Sequence, residues 1–213
     1  MRVGILGTGD VGRALGTGFV TIGHEVRIGS RQATNEKAVA WAQEAGAKAS
    51  AGSFAEAAGF GEIVVLATLG VETESALKLA GLDKLRGKVV IDATNPLDFS
   101  GGTAKLAVSG NDSGGERVQR LLPDAHVVKA FNTVGNKFMF RPDFPGGPPD
   151  MFIAGNTAHA KQTVAGILRD FGWGVVDVGG IESSRYLEAM CMVWVLASMR
   201  VNNWNHAFKF LRK

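Results

Sequence analysis

Six residues into the chain, a short apolar run, Arg2 to Leu6, breaks into Gly7-Thr8-Gly9-Asp10-Val11-Gly12. The hexapeptide opens a stretch with helical spacing, in which Val11, Leu15, Phe19 and Ile22 fall on one face. Gly23 then stops the helix, and Glu25 to Gly29 reads as a second strand. A G-x-G-x-x-G pattern is weak alone, but between a strand and a helix in a βαβ unit it marks a dinucleotide cradle. Each glycine has a mechanical task. Gly7 permits the sharp turn, Gly9 lets a diphosphate approach bare backbone, and Gly12 lets helix and strand pack closely. Amides at the helix N-terminus then face the diphosphate, where the helix dipole favours negative charge.

The alternation continues along the chain. Strands are expected at Ile63–Ala67, Val89–Asp92 and His126–Ala130, each nearly continuous in branched apolar residues. Helices are expected at Asn35–Ala45, from the Ser53 cap to Ala58, at Val71–Ala80 and at Gly114–Leu122. That pattern predicts an α/β fold, a doubly wound Rossmann-type sheet, mostly parallel and covered on both faces. Four of the six prolines crowd into Gly135–Asp150, an expected irregular loop. Beyond it come a strand at Met151–Ala154, a helix at Thr157–Phe171 and a strand at Gly174–Val178. Ile181–Phe210 reads as mostly helical. The expected division is a dinucleotide-binding region, residues 1–178, followed by a C-terminal helical segment, residues 179–213, offering an acceptor site or dimer interface.

The choice between NAD and NADP rests on the end of the second strand. NAD sites place Asp or Glu there to accept from the ribose 2′-hydroxyl. This strand ends Ile28-Gly29-Ser30-Arg31, with a guanidinium and no carboxylate. Arg31 offers a bidentate fork to a 2′-phosphate, Ser30 and Thr8 offer hydroxyl donors, and Lys37 adds charge nearby. NADP is the expected cofactor.

Composition narrows the partners. With 23 Lys and Arg against 20 Asp and Glu, the net charge is +3, and no run of like charges suggests nucleic acid. The longest uncharged apolar stretch near the C-terminus, Ala189–Met199, is too short for a bilayer, and the opening residues are too few for a secretory signal. A cytoplasmic protein without membrane contact is expected. The one cysteine, Cys191, sits in apolar surroundings and reads as an inert thiol. The four histidines are scattered, and no spacing suggests a metal. The only tyrosine, Tyr186, has Met190 four residues on, so no Tyr-x-x-x-Lys proton donor exists. No catalytic acid–base residue is legible. That absence suits hydride transfer between two planar rings, where positioning supplies most of the catalysis.

These residues resemble a known family. Met1–Gly9, Gly23-His24-Glu25-Val26, Gly29-Ser30-Arg31, Val128–Thr133 and Ser184–Glu188 are similar to segments of the NADPH-dependent coenzyme F420 reductases. Val128–Thr133 is also similar to the reductase domain of the six-transmembrane metalloreductases. The resemblance implies an NADP site at Thr8–Val11 with Ser30 and Arg31 on the 2′-phosphate. It implies nicotinamide contacts from Thr68, Leu69, Asn95 and Pro96, with the acceptor ring near Ala130, Phe131, Asn132, Thr133 and Val134. It further implies a homodimer through C-terminal helices. The expected activity is hydride transfer between NADP(H) and a small-molecule acceptor, F420, FMN or FAD. Two alternatives stay open: reduction of a small carbonyl or imine, and a non-catalytic NADPH-binding sensor.

Overall fold

A computed structural model describes all of residues 1–213. The chain runs β1 (Arg2–Leu6), α1 (Asp10–Thr21), β2 (Glu25–Ser30), α2 (Glu36–Ala45), β3 (Ala49–Ser53), α3 (Phe54–Phe60) and β4 (Ile63–Leu66). It continues α4 (Thr73–Ala80), β5 (Val89–Asp92), β6 (Leu97–Asp98), β7 (Lys105–Leu106), α5 (Gly114–Leu121) and β8 (His126–Lys129). It ends β9 (Asp150–Gly155), α6 (Ala158–Asp170), β10 (Gly174–Asp177) and α7 (Ser184–Val201). Eight strands form one sheet in the order β10-β9-β8-β5-β4-β1-β2-β3. Every pair is parallel except β8–β9, so β9 and β10 run against the rest. Strand order reverses between β1 and β4, and ligands of doubly wound sheets bind in the crevice at such a reversal.

The period of two along each strand sorts side chains onto the two faces. Val3, Ile5, Ile63, Val65, Val89, Ile91 and Val128 pack on one side with Leu15 and Phe19 of α1, Trp41 of α2 and Val164 of α6. Leu6, Val64, Leu66, Val90 and Val127 pack on the other with Ala57 of α3, Leu77 of α4 and Val118 of α5. Both faces are buried at the centre of the sheet, so β4 and β5 carry no polar residue before Asp92.

Local signals explain the boundaries. Asn35 caps α2 by accepting from the Ala38 amide, and Ser53 and Glu56 form a reciprocal capping box at α3. Three features depart from the expected pattern. Strand β3, Ala-Ser-Ala-Gly-Ser, carries no branched apolar residue and is held by backbone pairing to β2. The β6–β7 hairpin interrupts the path from β5 to α5. And α7 ends at Asn202, in the left-handed region at φ 47°, well before the expected Phe210. Residues 203–213 form no helix because their backbone is claimed elsewhere. Trp194 Nε1 donates to the His206 carbonyl at 2.9 Å, the Asp150 amide to the Phe208 carbonyl at 2.9 Å, and the Phe210 amide to Asp150 Oδ2 at 2.8 Å.

Helix α7 is clasped to α5 through Arg185. Its guanidinium donates to both oxygens of Glu116, at 2.8 and 2.6 Å. Those bonds, with the Ser113 hydroxyl, hold the Glu116 carboxyl below the usual carboxylate range. A depressed carboxyl contributes stability above its unfolded value and loses it as pH falls through the folded one. Glu116→Gln is therefore expected to cost about 1 kcal/mol at neutral pH. Urea melts from pH 7 to pH 3 should show the gap from wild type closing as the solution is acidified; a gap that widens in acid would contradict the clasp.

Candidate functional site

The crevice above β1 and β4 is a cleft of about 910 Å³. One wall is the glycine turn. Gly7 adopts φ +131°, a region L side chains rarely enter, and a Cβ there would collide with the Ala67 carbonyl. Gly9 is the N-cap of α1 and supplies no side-chain bond to the first-turn amides. Those amides are left to whatever enters the cleft. A Cβ built on Gly9 meets nothing within 4 Å, whereas one on Gly12 would strike the Gly7 carbonyl. So Gly9 keeps the cradle empty, and Gly12 lets α1 sit on the turn. The chain's glycine loop fits a diphosphate on this geometry.

Thr8, Asp10, Val11, Ser30 and Arg31 line the cleft with Gly7 and Gly9. Ser30 is nearly buried and its hydroxyl is bonded to the Gln32 carbonyl. Arg31 is exposed, and its Nη2 lies 3.0 Å from Glu72 Oε2, across the mouth of the cleft. Thr68, Leu69 and Asn95 line the opposite end. Thr68 Oγ1 is 3.0 Å from Thr73 Oγ1, the first residue of α4. Leu69 is about three-quarters exposed, and Leu97 and Phe99 of the hairpin face the same space. Leu69, Leu97 and Phe99 thus give that end an apolar wall beside the polar Thr68 and Asn95.

Other expected residues lie elsewhere. Gly12 is packed under the turn, and Lys37 is on the exposed face of α2, away from the cleft lining. Pro96 faces a second groove between α4 and α5. Ala130, Phe131, Asn132, Thr133 and Val134 are all buried, and none lines the cleft. Asn132 instead reaches it through Asn95: Asn95 Nδ2 donates to the Asn132 carbonyl at 2.8 Å, and Asn132 Nδ2 donates to Asn95 Oδ1 at 3.0 Å. Sequence reasoning passed over Gln32, Asn35, Glu72, Thr94, Phe99 and Asn136, which do line it. Thr94 was legible as the neighbour of Asn95; the hairpin that brings in Phe99 has no strong strand signal.

No histidine lines the cleft, and no group of three or more His, Cys, Asp or Glu side chains is placed to hold a metal. Cys191 is buried, and desolvation pushes its thiol up to about 12. No helix is long and apolar enough to cross a membrane.

Comparisons with known proteins agree with this geometry. The sequence profile of the family "NADP oxidoreductase coenzyme F420-dependent" matches residues 2–96. An F420-dependent NADP reductase from Methanothermobacter marburgensis is 32% identical over 202 residues, covering 88% of each chain. Metalloreductase STEAP3 of Rattus norvegicus is 32% identical over 189 residues, and this chain spans 36% of its length. A crystal structure of a candidate F420-dependent NADP reductase from Arthrobacter sp. FB24 superposes with a TM-score of 0.93, at 37% identity and full coverage of both chains.

The two glycines make a paired test of the cradle. Gly12→Ala is expected to destabilise the fold by about 1–3 kcal/mol through backbone collision. Gly9→Ala is expected to leave the melting temperature nearly unchanged while weakening dinucleotide binding by about tenfold or more. Thermal melts and calorimetric titration check both; a Gly9→Ala protein that binds NADPH as wild type does would contradict the cradle.

Proposed function

The chain belongs to the family of coenzyme F420-dependent NADP oxidoreductases, and on that premise we propose that it passes a hydride between NADP(H) and a flavin or deazaflavin acceptor of the F420 kind. The observation that carries the reading is the cleft itself. An open helix N-terminus lies at the strand-order reversal, with a guanidinium where an NAD site would keep a carboxylate. In this assignment Gly7, Thr8, Gly9, Asp10 and Val11 hold the diphosphate through backbone amides. Ser30 and Arg31 take the 2′-phosphate, with Lys37 contributing only long-range charge from the face of α2. Thr68, Leu69, Thr94 and Asn95 frame the nicotinamide, and Pro96 and Ala130 support that end from outside the cleft.

When bound, the cofactor supplies the hydride at the nicotinamide ring; the protein's residues supply placement. Arg31 must exchange the Glu72 carboxylate for the phosphate, a modest cost because exposed ion pairs are worth about 0–1 kcal/mol. Leu69, Leu97 and Phe99 form the apolar wall against which the acceptor ring would lie, excluding water from the path between the two reacting ring atoms. Phe131, Asn132, Thr133 and Val134 back the acceptor end from below rather than touching it. No side-chain acid or base is required at the atoms between which the hydride passes.

The protein in this reading is a cytoplasmic enzyme acting on a small-molecule acceptor. Two copies pair through the outward face of α7, where Tyr186, Val193, Leu196 and Met199 are exposed. The acceptor assignment is tested by mixing NADPH with F420, FMN, FAD and a cyclic imine and following loss of the reduced nicotinamide absorbance. Turnover with a flavin or F420 supports it; turnover with the imine alone, or binding without any turnover, would overturn it. Arg31→Ala is expected to weaken NADPH by about 2 kcal/mol and leave NADH nearly unchanged. Equal losses for both nucleotides, read by titration, would overturn the 2′-phosphate assignment.

A further inference from the structure

Below the cleft lies a charged cluster that contacts no solvent. Lys129 and Asp92 are 0% exposed and Glu188 is 1% exposed. The Lys129 ammonium lies 2.9 Å from Asp92 Oδ2, 2.7 Å from Glu188 Oε1 and 2.8 Å from the Thr94 carbonyl. Asp92 Oδ1 accepts from the Thr94 amide at 3.0 Å and from its hydroxyl at 2.7 Å. Glu188 also accepts from the Gly114 and Gly115 amides at the start of α5. All three polar groups of Thr94 are thereby bound to buried charges, directly beneath the cleft that Thr94 lines.

Stability alone does not account for this arrangement. Replacing a buried ion pair with apolar residues of similar volume is often neutral or stabilising. The same segment shows two further costs. Phe131, 1% exposed, sits at φ 61°, an outlier for a bulky residue. Asn132 Oδ1 is buried without a donor. Yet this strained turn sets Asn132 so that its carbonyl and its amide group both meet the Asn95 side chain, while Nδ2 also donates to the Leu187 carbonyl at 3.0 Å. Costs of this kind persist where surrounding structure over-determines a functional geometry.

We infer that Lys129 to Asn132 is a jig for the Thr94–Asn95 segment: Lys129 fixes its backbone, Asn132 fixes its side chain, and neither touches the cofactor. Lys129 and Asn132 are then positioning residues for the nicotinamide half of the site. The inference rests on the placement of the nicotinamide at Thr94 and Asn95 proposed above. It gives the Lys-Ala-Phe-Asn run a task that direct contact does not, since all four residues are buried outside the cleft lining.

The test separates the two halves of the cofactor. Affinities for NADPH and for 2′,5′-ADP, which occupies only the adenosine half, are measured by calorimetry on Lys129→Met and Asn132→Ala. The affinity for 2′,5′-ADP is expected to stay within about twofold of wild type, while the advantage of NADPH over 2′,5′-ADP falls by about fivefold or more. With an accepted acceptor, kcat should fall further than the KM for that acceptor rises. An unchanged advantage in a folded variant, or parallel loss of both affinities, overturns the jig. Should Lys129→Met not fold, Asn132→Ala, which leaves the charged cluster intact, decides the matter. Wild-type protein that binds neither nucleotide would instead remove the cofactor reading, and the jig with it.

Discussion

The unpaired amides at the start of α1 are the constraint from which the rest of the site follows. A helix N-terminus carries four amides without intrahelical partners and roughly half a positive charge. A side chain at Gly9 could have reached back to satisfy one of them, and Gly9 has none to offer. The parallel sheet then decides where this open end lies. Strand order reverses between β1 and β4, so the crossovers on either side leave the sheet in opposite directions and a crevice opens above the reversal. That the open helix end faces the crevice is a consequence of topology acting on one bare turn.

Around that fixed point, the two ends of the cleft are built differently. The end at Arg31 is open and adaptable: the Arg31 and Glu72 side chains are 67% and 46% exposed, and their ion pair is easily exchanged. The opposite end is held from below by buried charge. Lys129 joins β8 to β5 through Asp92 and to α7 through Glu188, and its ammonium also holds the Thr94 carbonyl in the segment just beyond β5. A small change in that segment would move Thr94 and Asn95 together. Rigid support under the Thr94–Asn95 end and soft contact at the Arg31 end suit the proposed site, whose catalysis would be chiefly placement.

The sheet was legible because burial on both faces forces runs such as Ile-Val-Val-Leu and Val-Val-Ile, which few other contexts tolerate. The glycine turn was legible for a similar reason, since its steric demands are local, and Ser30 and Arg31 at the end of β2 line the cleft beside it. Strand β3 was not, since its Ala-Ser-Ala-Gly-Ser sequence relies on pairing with β2. Phe210 was drawn into an expected helix by apolar composition, although bonds to Asp150 hold the backbone there extended from α7. Asn132 offered its residue type but not its direction. Only the turn at Phe131 shows that it meets Asn95 beneath the cleft, and a positive φ at phenylalanine leaves no mark in sequence.

In the proposed site a cationic fork and an open helix end act on one dinucleotide, and a crystal structure of the protein with NADP+ decides whether they do. It is expected to show the diphosphate over the bare Gly9 backbone and the 2′-phosphate within hydrogen-bond reach of the Arg31 guanidinium, with Glu72 released. A complex in which Arg31 keeps its bond to Glu72 while the 2′-phosphate lies in solvent would contradict that placement.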